Sequence, residues 1–208
     1  IIASIVFCSG VNYKWILGVL AVVVPGAALF IYLLQYEMIH FLRGYQATRI
    51  LAWINPQKYA EAYWQQENSI MAIGSGQLWG KGLNNTEIAS VKNGNFLSEE
   101  QTDFIFAIIG EEMGFVGAMV VLALFLLLIY ECLMMAYRAK DLAGKLICVG
   151  MGTLLAFQSF ANVAVATAIF PNTGLPLPFV SYGVSSLLSI YLGMGVVLNV
   201  GLQRKNNN

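Results

Sequence analysis

The sequence is poor in charge. Only 11% of its 208 residues are Asp, Glu, Lys or Arg, and the net charge is zero. Soluble domains carry roughly 25% charged residues, so a soluble globular fold is excluded. Lys and Arg are few and scattered, which argues against a nucleic-acid partner. There is one histidine, His40, and it has no nucleophile paired with it, so Ser–His and Cys–His chemistry has no constellation to work with. The three cysteines, Cys8, Cys132 and Cys148, are odd in number and all lie in apolar runs. None has metal-ligand spacing, and they read as packing residues. No basic leader with a cleavage site is present, nor a starting Met. The chain opens inside an apolar run, as a piece of a longer membrane protein would.

What the sequence has in abundance is apolar length. Hydrophobic residues make up 58% of it and mean hydropathy is +0.69. About 20 mostly apolar residues span a bilayer. On that measure residues 1–9 end one span and 15–36 form a complete one, with Pro25-Gly26 as an expected kink. Further spans are expected at 104–137, 146–170 and 187–203. The fold class is therefore all-α. It is a polytopic membrane helix bundle with about four complete spans plus the end of another, forming a single membrane domain over 1–208.

Residues 37–102 form a long polar connection. Amphipathic pieces at 45–53 and 59–73 are expected as short helices lying against the membrane surface. Lys14, Arg138, Lys140, Lys145, Arg204 and Lys205 all fall on one side under this span count. That side is cytoplasmic by the positive-inside rule, so the large loop and the connector 171–186 face outward together.

The chemistry concentrates on that outer face. Asp103 sits at the mouth of the run 104–137, where an acid is costly to hold and usually functional. On a 3.6-residue period it shares a face with Ala107, Gly110, Glu111, Gly114, Gly117 and Ala118. A face of two acids and small residues suits close packing or a wet cavity. Glu111 lies two turns along it, about 12 Å from Asp103. Gly74-Ser75-Gly76-Gln77-Leu78-Trp79-Gly80-Lys81-Gly82 fails as a Walker loop, because the required Gly and Ser/Thr positions hold Ser75 and Gly82. It reads as a flexible turn, or as backbone N–H groups that hold a diphosphate loosely with Lys81. Gln158, Ser159 and Asn162 form a polar stripe in 146–170, either interhelical hydrogen bonding or a cavity wall. The Pro/Gly-rich connector cannot be regular helix. Ser185 and Ser186 are placed to cap the last span, and free N–H groups there favour an anion.

Three stretches together resemble the SEDS family (FtsW/RodA/SpoVE). Gln101-Thr102-Asp103-Phe104-Ile105-Phe106-Ala107 through Gly110-Glu111-Glu112-Met113-Gly114 is similar to the HTDFIFAxxGEELG stretch of that family. Pro171 through Gly183 resembles its PxTGLPLPFxSYGG stretch, and Ser69 through Gly82 its SxxAIGSGGLxGKG segment. Gln101 and Val184 depart from the pattern, standing where His and a second Gly are usual. The resemblance implies the C-terminal half of a ten-span peptidoglycan glycosyltransferase that polymerises lipid II, works with a class B penicillin-binding protein, and resides multi-pass in the bacterial cytoplasmic membrane. It places the essential acid at Asp103. Lys81, Arg43, Arg49 and Lys92 become candidates for the polyprenyl diphosphate, and Glu111, Asn162, Thr173, Ser181 and Ser185 for the substrate cavity. A divalent cation such as Mg2+ is compatible, though no metal ligand is singled out. A lipid II flippase and a non-catalytic scaffold for the penicillin-binding protein are the rival readings.

Overall fold

The computed structural model describes residues 1–10, 12–35, 45–83 and 102–203. Among them every regular element is an α-helix: α1 (Ile2–Cys8), α2 (Tyr13–Gln35), α3 (Tyr45–Ile54), α4 (Ala60–Ser75), α5 (Ile105–Arg138), α6 (Leu142–Ala166) and α7 (Val184–Leu202). Three of them, α5, α6 and α7, are long and apolar enough to cross a membrane. The fourth expected span is α2, which carries Pro25 and a shorter apolar stretch, Leu17–Leu33.

The bundle is organised on α5 and α6, which pack along each other, with α4 across the first part of α5 and α7 against α6. Small residues permit this. Ala107, Gly110, Gly114, Gly117 and Ala118 of α5 are all buried, together with Glu111. Cys132 and Cys148 pack with Leu155, Ile190 and Val197 where α5, α6 and α7 meet. The large side chains of α5, among them Leu124, Leu126 and Leu127, point outward, as a lipid-facing side requires.

The boundaries of α6 differ from the sequence expectation at both ends, for local reasons. The helix starts at Leu142 because Asp141 caps it, its carboxylate accepting from the Gly144 N–H at 3.4 Å. It stops at Ala166 because Ala168 takes a left-handed φ of 55° and Phe170 N–H turns back onto the Ala164 carbonyl at 3.0 Å.

That end of α6 is capped by the two amphipathic helices. Gln66 Nε2 donates to the Val165 and Phe170 carbonyls at 3.1 and 2.8 Å. Ser69 Oγ donates to Ala166 O at 2.8 Å, and Trp53 Nε1 to Ala168 O at 2.9 Å. Carbonyls at a helix C-terminus have no partner in their own helix, and an unmet one is expensive where water is excluded. Polar side chains from α3 and α4 supply the missing donors. Gln66→Leu should therefore lower stability by about 1–3 kcal/mol, because a buried acceptor is left unsatisfied. Thermal unfolding of the purified protein reads this directly. An unchanged transition would mean that the cap is supplied some other way.

α5 is not one helix. Gly114 has φ 66° and ψ −168°, outside any helical region, so residues 105–113 and 115–138 are two helices joined at a break. The expectation of one continuous helical span over 104–137 is corrected here. The loop after α4 is inserted at the break. Lys81 and Gly82 N–H donate to the Glu111 and Glu112 carbonyls at 2.9 and 3.0 Å, and Phe115 and Val116 N–H donate to Gln77 and Leu78 carbonyls at 2.8 and 3.2 Å. The orphan groups of one helix end and one helix start are met by a single loop. Glycine makes the approach possible: a Cβ on Gly76 or Gly80 would collide with the carbonyls of Gly110 and Glu112.

Candidate active site

Asp103 precedes the first turn of α5 and is held by its main chain. Asn162 of α6, fully buried, uses Nδ2 to donate to the Asp103 carbonyl and to the Leu175 carbonyl, both at 2.8 Å. Ser181, also buried, accepts from Leu177 N–H at 2.7 Å and donates to Thr102 O at 2.6 Å. The connector between α6 and α7 is thus tied to the residues on both sides of the acid's peptide. It lies irregular there because Pro171, Pro176 and Pro178 forbid helix.

The connector brings Arg49 of α3 to the acid. Arg49 Nη1 donates to the Asn172 carbonyl at 3.3 Å. Gly174 has a left-handed φ of 69°, and the place where its Cβ would stand is 3.3 Å from Asp103 Oδ2 and 3.5 Å from Arg49 Nη1. A carboxylate and a guanidinium therefore flank one empty point. Only glycine leaves that point empty and tolerates the backbone angle.

Lys81 and Glu111 form a separate station. Their side chains are 2.8 Å apart, with Glu111 1% exposed and Lys81 22%. The pair sits beside the break, where Lys81 N–H also binds the Glu111 carbonyl. The loop's N–H groups at Lys81 and Gly82 are spent on α5. Lys81→Met would leave a buried carboxylate facing a lost cation. About 1–3 kcal/mol of stability should disappear, less than the roughly 3–5 kcal/mol of a fully buried pair because Lys81 is partly wet. The double variant Lys81→Met/Glu111→Gln should recover much of it in a thermal melt. No recovery would show that the pair does not act as a unit.

The other expected residues fall as follows. Thr173 is exposed, next to Gly174 in the connector. Ser185 is exposed in the first turn of α7 and does not cap it; the N-cap is Gly183, so both Ser185 and Ser186 lie too late in the helix to do so. Arg43 and Lys92 lie outside the described residues, as do His40 and Gln101. Gln158 Oε1, Ser159 Oγ and Asn162 Oδ1 are buried in α6 without a hydrogen-bond partner among the described residues. Among those residues no group of three or more His, Cys, Asp or Glu could hold a metal ion. One carboxylate beside a guanidinium is a poor donor set for Mg2+, which takes several oxygens.

Sequence reasoning did not find Trp53, Gln66 or Ser69 as caps, nor Gly174 as the spacer between carboxylate and guanidinium. Only the glycine had a local signal, in the Asn-Thr-Gly turn pattern.

Three comparisons bear on identity. The chain is 35% identical over 200 residues to a protein of Geobacter sp. (strain M18) named probable peptidoglycan glycosyltransferase FtsW, covering 96% of this chain and 51% of that one. It is 37% identical over 203 residues to the peptidoglycan glycosyltransferase MrdB of Escherichia coli (strain K12), covering 97% and 52%. The chain spans about half the length of the curated relatives it matches. Its fold superposes on a chain solved in a study of how a peptidoglycan synthase complex coordinates polymerization and crosslinking, with a TM-score of 0.67, 28% identity, and coverage of 98% of this chain and 53% of that one. The family model for the FtsW, RodA and SpoVE cell cycle proteins matches residues 1–206. With the fold, the three motifs and nearly the whole chain in agreement, this all-helical membrane protein belongs to the FtsW/RodA/SpoVE family.

Proposed function

We propose that the full-length protein is a peptidoglycan glycosyltransferase that polymerises lipid II at the outer face of the bacterial cytoplasmic membrane, with a class B penicillin-binding protein as its partner. The observation that carries this reading is the acid site. Asp103 is pinned by its main chain, leaving its carboxylate beside Arg49 at the empty point of Gly174.

The reaction needs a base and an anion stabiliser. The C4 hydroxyl of one lipid-linked disaccharide attacks C1 of the growing chain. The O4–C1 bond forms and the bond from C1 to the diphosphate oxygen breaks. The hydroxyl proton passes to Asp103, the electron pair leaves with the polyprenyl diphosphate, and the anomeric centre inverts. Asp103 acts as general base. Arg49 flanks the same point as Asp103 and is suited to the charge that develops on the leaving diphosphate. Lys81, committed to Glu111, serves the loop instead.

Transport is a second reading, favoured by the orphaned polar atoms of Gln158, Ser159 and Asn162 inside α6. A flippase needs a polar path and no base. The product separates the two. Purified full-length protein with its penicillin-binding partner, given labelled lipid II, should make a glycan ladder on a gel. Lipid moved across a vesicle with no polymer formed would establish the transporter instead.

A further inference from the structure

The break in α5 separates two kinds of surface. From residue 105 to 112 no side chain is exposed. From Met113 onward exposed apolar side chains recur, among them Phe115, Val116, Met119 and Val120. Residues 115–138 run about 36 Å at 1.5 Å per residue, enough to cross a hydrocarbon core of about 30 Å unaided. Arg138 ends this segment and Lys140 follows it, so the break lies at the outward end by the positive-inside rule. The acyl boundary therefore falls close to the break. Residues 105–113, about 13 Å of helix, stand beyond it.

The loop inserted at the break presents large apolar side chains at that level. Leu78 is 60% exposed, Trp79 79% and Leu83 73%. The loop binds α5 through its main chain, with Val116 N–H donating to the Leu78 carbonyl at 3.2 Å. That bond sets Leu78 beside the first lipid-facing turn of residues 115–138. The apolar surface of the loop is thus continuous with the side of α5 that meets acyl chains. Tryptophan favours the level where chains give way to headgroups, with its ring in apolar surroundings and its N–H wet. The cation of this loop, Lys81, is folded back onto Glu111 and does not oppose insertion.

We propose that Leu78, Trp79 and Leu83 anchor this loop in the outer leaflet, at the boundary of headgroups and acyl chains, and that the anchor sets the height of Asp103 above the bilayer. The link between the two is the helix of residues 105–113, spliced to the loop at one end and preceded by Asp103 at the other. The anchor stands on the exposed surface alone. Its consequence for catalysis rests on the glycosyltransferase reading, because a lipid-linked substrate presents its reacting carbon at a fixed height.

Two measurements on the full-length protein with its penicillin-binding partner test this. The first is tryptophan quenching in nanodiscs of phosphatidylethanolamine and phosphatidylglycerol, brominated either just below the headgroups or near the chain ends. The fluorescence of the wild type less that of Trp79→Phe isolates Trp79. Shallow bromines should quench it strongly and deep ones weakly. Quenching by neither, as when the partner or another part of the chain covers Trp79, overturns the anchor. Stronger quenching by deep bromines overturns its placement at the boundary.

The second measurement is polymerisation of lipid II by Leu78→Ser/Trp79→Ser, in nanodiscs and in detergent micelles, which have no fixed leaflet. Both side chains are exposed, so the melting temperature in detergent should hold. Burial of one large apolar side chain is worth about tenfold or more in an equilibrium. The variant should therefore lose about tenfold in nanodiscs and stay within about twofold of the wild type in micelles. Trp79→Phe should keep most of the activity in both. An equal loss in both media, or no loss in nanodiscs, overturns the height-setting role. Absence of polymer from the wild type overturns the glycosyltransferase reading, and the quenching result then judges the anchor alone.

Discussion

Asp103→Asn in the full-length protein is expected to reduce glycan polymerisation by about 10²–10⁴-fold, the contribution of a positioned general base, without unfolding it. The two halves of that expectation have separate physical sources. Asn keeps the shape of Asp but cannot take a proton near neutral pH. What Asn162 binds at this residue is the main-chain carbonyl, which the substitution does not alter. Asn162→Ala should behave differently. It removes the donor to both the Asp103 and the Leu175 carbonyls, so activity and melting temperature should fall together. A labelled lipid II gel assay beside a thermal melt distinguishes the two variants. Near-normal ladders from Asp103→Asn would remove the base and keep the enzyme.

Gly114→Ala should be among the most damaging small substitutions in the chain. The φ of 66° with ψ of −168° belongs to a region that is essentially glycine's alone, at about 1–3 kcal/mol for any other residue. A Cβ there would also stand 2.6 Å from the Leu78 carbonyl oxygen and press on Gly80 N. Both atoms are backbone, held by hydrogen bonds, and cannot swing aside. The combined loss is expected to reach about 3 kcal/mol or more. Gly195→Ala is the control, since nothing lies within 4 Å of its Cβ position. A lower melting temperature and a lower membrane yield for the first variant, with neither for the second, is the expected pair of results. Equal behaviour would mean that residues 105–138 run through as a straight helix.

The buried face of α5 was legible because helical periodicity is a local property. Small residues three and four apart in sequence turned out to be the packed ones. The same periodicity hid the break. Gly114 fits a small-residue stripe and a left-handed kink equally well, and nothing within the helix distinguishes them. The distinguishing partner is the Gln77–Gly82 loop, some thirty residues earlier. The salt bridge of Lys81 and Glu111 was out of reach for the same reason. Each residue had been noticed, but only the loop's crossing joins them. The amphipathic pieces at 45–53 and 59–73 matched α3 and α4 closely. Their polar side is ambiguous in sequence, because Gln66 and Ser69 fit a water-facing side as well. They face the carbonyl end of another helix instead, a polar environment inside the protein that sequence pattern cannot separate from solvent. At the acid site the resemblance pointed to Asp103, and the residues that hold its main chain were also in view. Their roles as main-chain anchors emerged only from the geometry.

The loop that splices α5 also has a consequence for biosynthesis. Residues 76–82 leave the ribosome before any of α5 exists, so the splice can form only after residues 111–116 have followed. Until then, four backbone groups of α5 have no partner other than water or a continuous helix. The nascent segment therefore enters the membrane either unbroken, to be opened later by the arriving loop, or with its outer turns still wet. In both cases the helix break cannot precede the synthesis of residue 116, and the acid site cannot be completed before α6 and the connector, which hold Asp103 and Thr102, have followed.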